Sequence, residues 1–521
     1  MLLTMLVVFV MTGAIGGDAR GQSLEEVWDA PHVGDPFEIH KESEGVALVS
    51  WVDGSTPYVF VTGWATNSYG GVCVVTYKLF AADGSVAAGP VFFPPVLPES
   101  EERKHKPTAI TVDHITGDVY VAGYSQNLEG DYDYILLKYD GSLESTLIAT
   151  GWAAISPDPP SVRRFNGVGE GDDKAVDVVL AACGSAGIVA ITGTSRGATN
   201  NDIVTIAYSR TDGDLEWLDS YDGPGEGNDL AVAMAVVTPT VPSSEPATSI
   251  IVAGTTYGGS TVGFDMVALR YDPCDFEDPL MWAATFNNDL ANGDDICTAL
   301  AVIDNAVGTQ TGIFLIGSTP HHVPSPGDTD YITFAIRMTG VLSNDWATTG
   351  FGVGVRVWDP GQGTSDDSPT AVTIAGSSLV ITGRVQSSED EGAPYDIGTI
   401  AYEISDGDVI DALIFGEAGE GGVDVRATAI ETGYSSDIVY IAGWYYSPSD
   451  DGPYFYLTLK LTINAMSIDA VAYLWGHGDE AKARDLIVLH GVAVGDKGLV
   501  VTGRLGIPDS GLDIVSVKYS H

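Results

Sequence analysis

Aspartates recur at one kind of place along this 521-residue chain. GEGDDKA carries Asp172 and Asp173, GEGNDLA carries Asp229, NGDDICTA carries Asp294 and Asp295, and GTSDDSPTA carries Asp366 and Asp367. Each string stands just before a short apolar stretch. Carboxylates in glycine-rich loops supply hard oxygen donors of the kind that hold calcium. The candidate metal residues are therefore Asp173, Asp229, Asp295 and Asp367. No DxDxDG loop with its full spacing is present. The competing reading is structural. An Asp at a strand entrance accepts hydrogen bonds from the N–H groups of the turn. A residue that recurs with a repeat answers a need that recurs with it.

The corresponding segments elsewhere are basic. They hold Arg426, Lys482 with Arg484, Lys41, and Lys104-His105-Lys106. Cations are scarce here: 23 Lys and Arg stand against 71 Asp and Glu, a net charge of −48. Lys104, His105, Lys106, Arg426, Lys482 and Arg484 are the candidate ligand-binding residues, for a sugar acid or another polyanion. The competing reading is local pairing, because Glu99, Glu101 and Glu102 precede Arg103 and Lys104. Other candidates are weaker. His321 and His322 are adjacent, and neighbours on an extended chain point to opposite faces. Gly193-Thr-Ser195-Arg-Gly197 matches GxSxG, but a nucleophile elbow needs a helix after the strand, and a polar loop follows here. The aromatic strings Trp444-Tyr-Tyr446 and Tyr454-Phe-Tyr456 suit sugar stacking or packing between sheets. There is no HExxH and no P-loop.

The elements that position these residues are written eight times. A short apolar strand ends in Gly63, Gly123, Gly193, Gly254, Gly317, Gly383, Gly443 and Gly503, spaced 60 to 70 residues apart. In the second copy, Thr108–Asp113, Asp118–Gly123 and Asp133–Tyr139 read as strands, with a fourth expected near Trp152–Ile155. Asp140-Gly141 is a hairpin signal. No helical periodicity intervenes. Four strands, A to D, repeated at this period indicate an all-β, eight-bladed β-propeller of four-stranded antiparallel blades. The last copy stops after strand C at Tyr519, and an orphan strand, Glu25–Ala30, precedes the first. The N-terminal strand is therefore expected to complete the last blade and close the ring. The blades run approximately 41–104, 105–168, 169–225, 226–291, 292–363, 364–420, 421–478, and 479–521 with 23–35, as one domain over 22–521.

Strands A and C run one way, B and D the other. The D-to-A and B-to-C loops thus share one face, called the lower face below. With strand A innermost, the channel mouth on that face is expected to be acidic on one half and basic on the other.

The repeat resembles the secreted bacterial β-propeller repeats, which share an AxxVD-like strand, a YVxG strand and a D-[YI]-xTxxY strand followed by DG. That resemblance implies a secreted or surface propeller and no particular reaction. Residues 1–21 read as a signal peptide: Leu2 to Ile15 form an apolar run, and Ala19-Arg20-Gly21 suits cleavage. Cys73, Cys183, Cys274 and Cys297 show no framework spacing and are expected to be small buried residues. The charge excludes nucleic acid and anionic membrane as partners. The expected function is that of an exported binding or structural surface module, acting as a monomer on a protein, a cell-surface glycan or a cation. The alternative is a polysaccharide lyase or hydrolase using carboxylates at the channel mouth. Calcium is the one cofactor considered.

Overall fold

A computed structural model describes residues 26–31, 42–66, 70–94, 102–143, 152–155, 159–185, 187–238, 248–259, 263–288, 293–320, 329–348, 352–360, 367–386, 394–416, 424–446, 454–463, 467–475, 481–489, 498–507 and 511–519. The signal-peptide segment 1–21, Lys41, Asp366, His321 and His322 lie outside the described residues.

Strands B and C read as continuous apolar runs rather than alternating ones. The reason is that both of their faces are covered. In strand B of the first blade, Val59, Phe60 and Val61 are all fully buried. Strand D is covered on one side only, so Leu215–Tyr221 has one buried position, Trp217, among exposed and half-buried ones. Eight four-stranded antiparallel sheets result, seven of them in the order A-B-C-D. The eighth joins Ala481–Leu489, Gly498–Ile507 and Gly511–Tyr519 to Glu26–Pro31. Glu26 pairs with Tyr519 and Pro31 with Val515, antiparallel. The expected split blade is thus present.

Strand A runs Ser43–Asp53, His105–Val112, Lys174–Ala181, Leu230–Val237, Ile296–Val302, Ser368–Ala375, Asp424–Thr432 and Ala481–Leu489 in blades 1 to 8. Each strand A approaches those of both neighbours, and blade 8 approaches blade 1, so these strands form the inner wall of the ring. The core lies between blades. Its eight apolar clusters each span one junction. Tyr134, Leu136, Val189 and Ile206 share one between blades 2 and 3, and Val59, Val61, Leu489 and Val500 share the closing one. Among the described residues no helix is long and apolar enough to cross a membrane.

Two expectations are corrected. Strand D of blade 2 is Val162–Phe165, not Trp152–Ile155. Trp152 instead packs on the turn of the next blade: its Nε1 donates to Arg210 O at 3.1 Å. Trp217, Trp282 and Trp346 likewise donate to Pro273, Met338 and Ile404 of the blade that follows. The tryptophans are therefore inter-blade latches. Blades 2 and 5 add an arginine fork. Arg163 Nε donates to Gly213 O (2.5 Å), and Arg356 Nε to Gly407 O (2.7 Å). The second correction concerns cysteine. Cys183 and Cys274 form a disulfide joining blades 3 and 4, while Cys73 and Cys297 are buried free thiols. Their separation of 91 residues in sequence hid the pairing.

Candidate functional site

Each strand A is bulged near its lower end. In blade 3 the register shifts between Ala175 and Asp177, and the same shift occurs in all eight blades. The bulge pushes one backbone carbonyl against strand B at the repeat glycine. A Cβ on Gly63, Gly123, Gly193 or Gly443 would collide with the carbonyl oxygen of Glu44, Lys106, Lys174 or Arg426, respectively. The recurring glycine is thus the partner of a rim residue. Round the ring those rim residues are Glu44, Lys106, Lys174, Leu230, Ile296, Ser368, Arg426 and Lys482. Blades 7, 8, 1, 2 and 3 present charges, and blades 4 to 6 present none.

The four candidate metal aspartates do not line this rim. Asp173, Asp229, Asp295 and Asp367 are buried, with at most 1% exposure. Ser195 Oγ and the Arg196 N–H donate to Asp173 Oδ1 (2.6 and 2.8 Å), and the Gly167 N–H donates to Oδ2. Asp229 repeats the pattern with Thr256 Oγ1, the Tyr257 N–H and the Gly223 N–H. Asp295 accepts from the Asn288 N–H and Asp367 from the Gln386 N–H. Their own N–H groups donate to Tyr132, Asn201, Phe264 and Thr329 at the entrance of strand C in the preceding blade. Each aspartate therefore ties its loop to two blades. The acidic half of the mouth is not formed by these residues. Ser195 of the GxSxG string is one of these ties, 3% exposed and bonded to Asp173.

His105 occupies the same slot in blade 2. It is 2% exposed, and its Nδ1 shares a 2.6 Å hydrogen bond with Ser125 Oγ, the counterpart of Ser195. Burial, then the charges of Arg103 and Arg164, lower its pKa to about 3. A neutral, enclosed imidazole takes no part in the rim.

The remaining candidates do come together on one arc. Lys106 Nζ lies 4.1 Å from the Trp64 ring of blade 1. Lys482 Nζ lies 4.5 Å from Tyr454 and 5.1 Å from Trp444 of blade 7. Arg426 stands over Tyr395 of blade 6 at 4.6 Å and pairs with Asp424 at 3.0 Å. Lys174 stands over Tyr132 at 4.6 Å and pairs with Asp172 at 2.6 Å. A cation of one blade thus rests on an aromatic ring of the blade before it. Glu44, 5% exposed, receives Arg484 and, at 3.6 Å, Arg504. Arg504 was not singled out in the sequence. Its signal was available, since it follows the repeat glycine where four blades place Trp64, Tyr124, Trp444 or Arg384. Lys104 is exposed beside this group.

Two other acidic groupings remain. Oxygens of Asp202, Asp222 and Asp229 lie within 4.8 Å of one another, as do those of Asp330, Asp359 and Asp367. Each trio takes one aspartate from strand C and two from the D-to-A loop, the second of them just before the next strand A. Three carboxylate oxygens form a donor set for a hard divalent cation. Asp229 meets that role with both oxygens already accepting hydrogen bonds. On the inner wall, burial raises Glu431 to about 7 and Asp485 to about 6. Asp485 accepts the N–H groups of Leu48 (3.1 Å) and Leu486 (2.9 Å), which makes it a clamp on the bulge of blade 1. Asp177 does the same for Met234 in blade 4.

No family model matches the chain, and no curated protein matches it. Solved structures of similar shape include Sqt1 from Chaetomium thermophilum bound to the N-terminus of the ribosomal protein L10. It has 9% identity and a TM-score of 0.45, covering 96% of this chain and 100% of that one. The WD40 domain of SCAP from fission yeast has 8% identity and a TM-score of 0.42, covering 95% and 98%. The β-propeller domain of the Trilobed protease from Pyrococcus furiosus has 8% identity and a TM-score of 0.38, covering 81% and 94%.

Proposed function

We propose that this protein is an exported binding module of the kind its repeats resemble, and that it holds a partner on the lower face. The observation that carries this reading is the rim. At one register position, set by the repeat glycine, five adjacent blades carry a charged residue, four cations and the buried, arginine-paired Glu44, and three do not. The framework needs the glycine and the bulge there, and leaves the side chain open to choice. Such a graded surface suits recognition of a partner. Propeller domains commonly serve as scaffolds, and a protein partner fits that use better than a reaction does. The entrance carboxylates, which a lyase or hydrolase would need, are buried and bonded to their own loops. Export is supported by the apolar N-terminal run and by the Cys183–Cys274 disulfide, since disulfides persist in oxidising compartments.

The test is affinity capture from the extracellular fraction of the source cells. Three baits are compared: the wild type, the double variant Arg426→Glu with Lys482→Glu, and Glu277→Lys on the opposite face. A partner held by the wild type and by Glu277→Lys, and lost by the double variant, is expected. Equal capture by all three overturns the reading. Depolymerisation of a polysaccharide panel by the wild type would favour the enzymatic alternative.

A further inference from the structure

The rim is not uniform along its charged arc. Lys174 and Arg426 each have a carboxylate of their own, Asp172 and Asp424. Lys106 has none: its ammonium makes no ion pair or hydrogen bond among the described residues and lies against Trp64 alone. It is also half-buried, so water replaces that missing partner only in part. An ammonium held this way is short of an anion. Its surroundings deepen the shortage. Lys106 senses Lys104, Arg484 and Arg504, against the single carboxylate Glu44. Glu44 in turn is taken by both arginines.

Arg484 is itself a departure from the repeat. It stands at the bulge of strand A, where the other seven blades carry valine or threonine. Thr298, Thr370 and Thr428 use that position to bond backbone carbonyls. Arg484 is 43% exposed and reaches toward blade 1 instead. A framework that accepts threonine has no need of arginine there. In a chain of net charge −48, this concentration of cations calls for a ligand.

We propose that the junction of blades 8, 1 and 2 is a carboxylate seat for an acidic polypeptide segment, built from Lys106, Arg484 and Arg504 around Glu44. This rests on the binding-module reading and names its ligand. A polypeptide is favoured over an acidic sugar because the stacking surface is closed. Lys106 covers Trp64, which is only 8% exposed. Across the mouth the rim is apolar at Leu230, 38% exposed, and Ile296, which suits aliphatic side chains interspersed with the acids.

The probe is a synthetic peptide of six glutamates and two leucines, with polygalacturonate as the competing class, titrated calorimetrically at low and high salt. The wild type is expected to bind the peptide, more weakly as salt rises. Lys106→Met keeps the aliphatic stem on Trp64 and removes the charge, and Arg484→Gln removes a second one. Each is expected to weaken peptide binding by about tenfold while leaving the melting temperature of the protein unchanged. Absence of peptide binding, binding by both variants as tight as that of the wild type, or preference for polygalacturonate overturns the proposal. If the seat fails while Arg426→Glu with Lys482→Glu still loses a captured partner, the binding-module reading stands and only this ligand is wrong.

Discussion

The carbonyl oxygen of Lys106 fills the space that a Cβ on Gly123 would need. The glycine that marks the repeat and the side chain that faces the mouth are therefore two ends of one contact. The bulge makes the contact, the glycine permits it, and the rim side chain is displayed by it. This pairing explains how a scaffold residue can be invariant within the chain while its partner runs through lysine, glutamate, leucine, isoleucine, serine and arginine.

Gly123→Ala is expected to destabilise the protein by about 2 kcal/mol or more, because backbone rather than a flexible side chain must move. Urea unfolding checks it. Peptide binding at Lys106 should weaken in the same variant. A midpoint equal to the wild type would contradict the bulge contact.

The Cys183–Cys274 bond links blades 3 and 4 across 91 residues. Replacing both cysteines by serine is expected to lower stability by about 2–4 kcal/mol. Alkylation of the native, unreduced protein should leave all four cysteines unlabelled: two are bonded, and Cys73 and Cys297 are buried. Labelling of Cys183 or Cys274 without reductant would remove the bond from the account.

Stability should fall as pH rises from about 5 to 7.5. Burial raises Asp177 and Asp485 to about 6, and Glu431 to about 7, with the charge of Asp485 adding to the last. Unfolded carboxyls ionise near pH 4. Across the interval between, these three carboxyls bind more protons in the folded state, which outweighs the one imidazole, His105, that is held neutral there, so raising the pH favours unfolding. Self-repulsion of a chain carrying −48 charges works in the same direction. Glu431→Gln should flatten the slope between about pH 5 and 7 and stabilise the protein at pH 7.5. Melting curves across this range test it, and an unchanged slope in Glu431→Gln would show that the residue is not the titrating group.

The Asp202–Asp222–Asp229 trio provides the test for calcium. Millimolar calcium is expected to raise the melting temperature relative to EDTA, and Asp222→Asn to reduce the response. No shift in the wild type removes calcium as a ligand.

Much of the architecture was legible in one dimension. Strands B and C are apolar on both faces because each blade lies between two others, and this leaves long runs such as Val59–Val61 that mark every repeat. Closure was legible too. A strand that lacks a partner at one end and a sheet that lacks a strand at the other must meet, as Glu26–Pro31 and Gly511–Tyr519 do. Strand D of blade 2 was misplaced because Trp152 carries the side chain that other blades hold on strand D. The latch to Arg210, not the strand, is what that tryptophan preserves.

The site was legible only in part, for a physical reason. Sequence shows which residue types stand at a strand entrance, but the bulge decides which of two neighbours faces the mouth. Asp173 turns into its loop to accept three hydrogen bonds, and Lys174, one residue later, takes the rim. His105 and Lys106 divide in the same way. The chain by itself determined the number of blades, their closure and the scarcity of cations. Tertiary structure alone decided that buried aspartates belong to the frame, that Cys183 meets Cys274, and that Arg504 joins Arg484 at Glu44, because these relations arise between blades rather than along them.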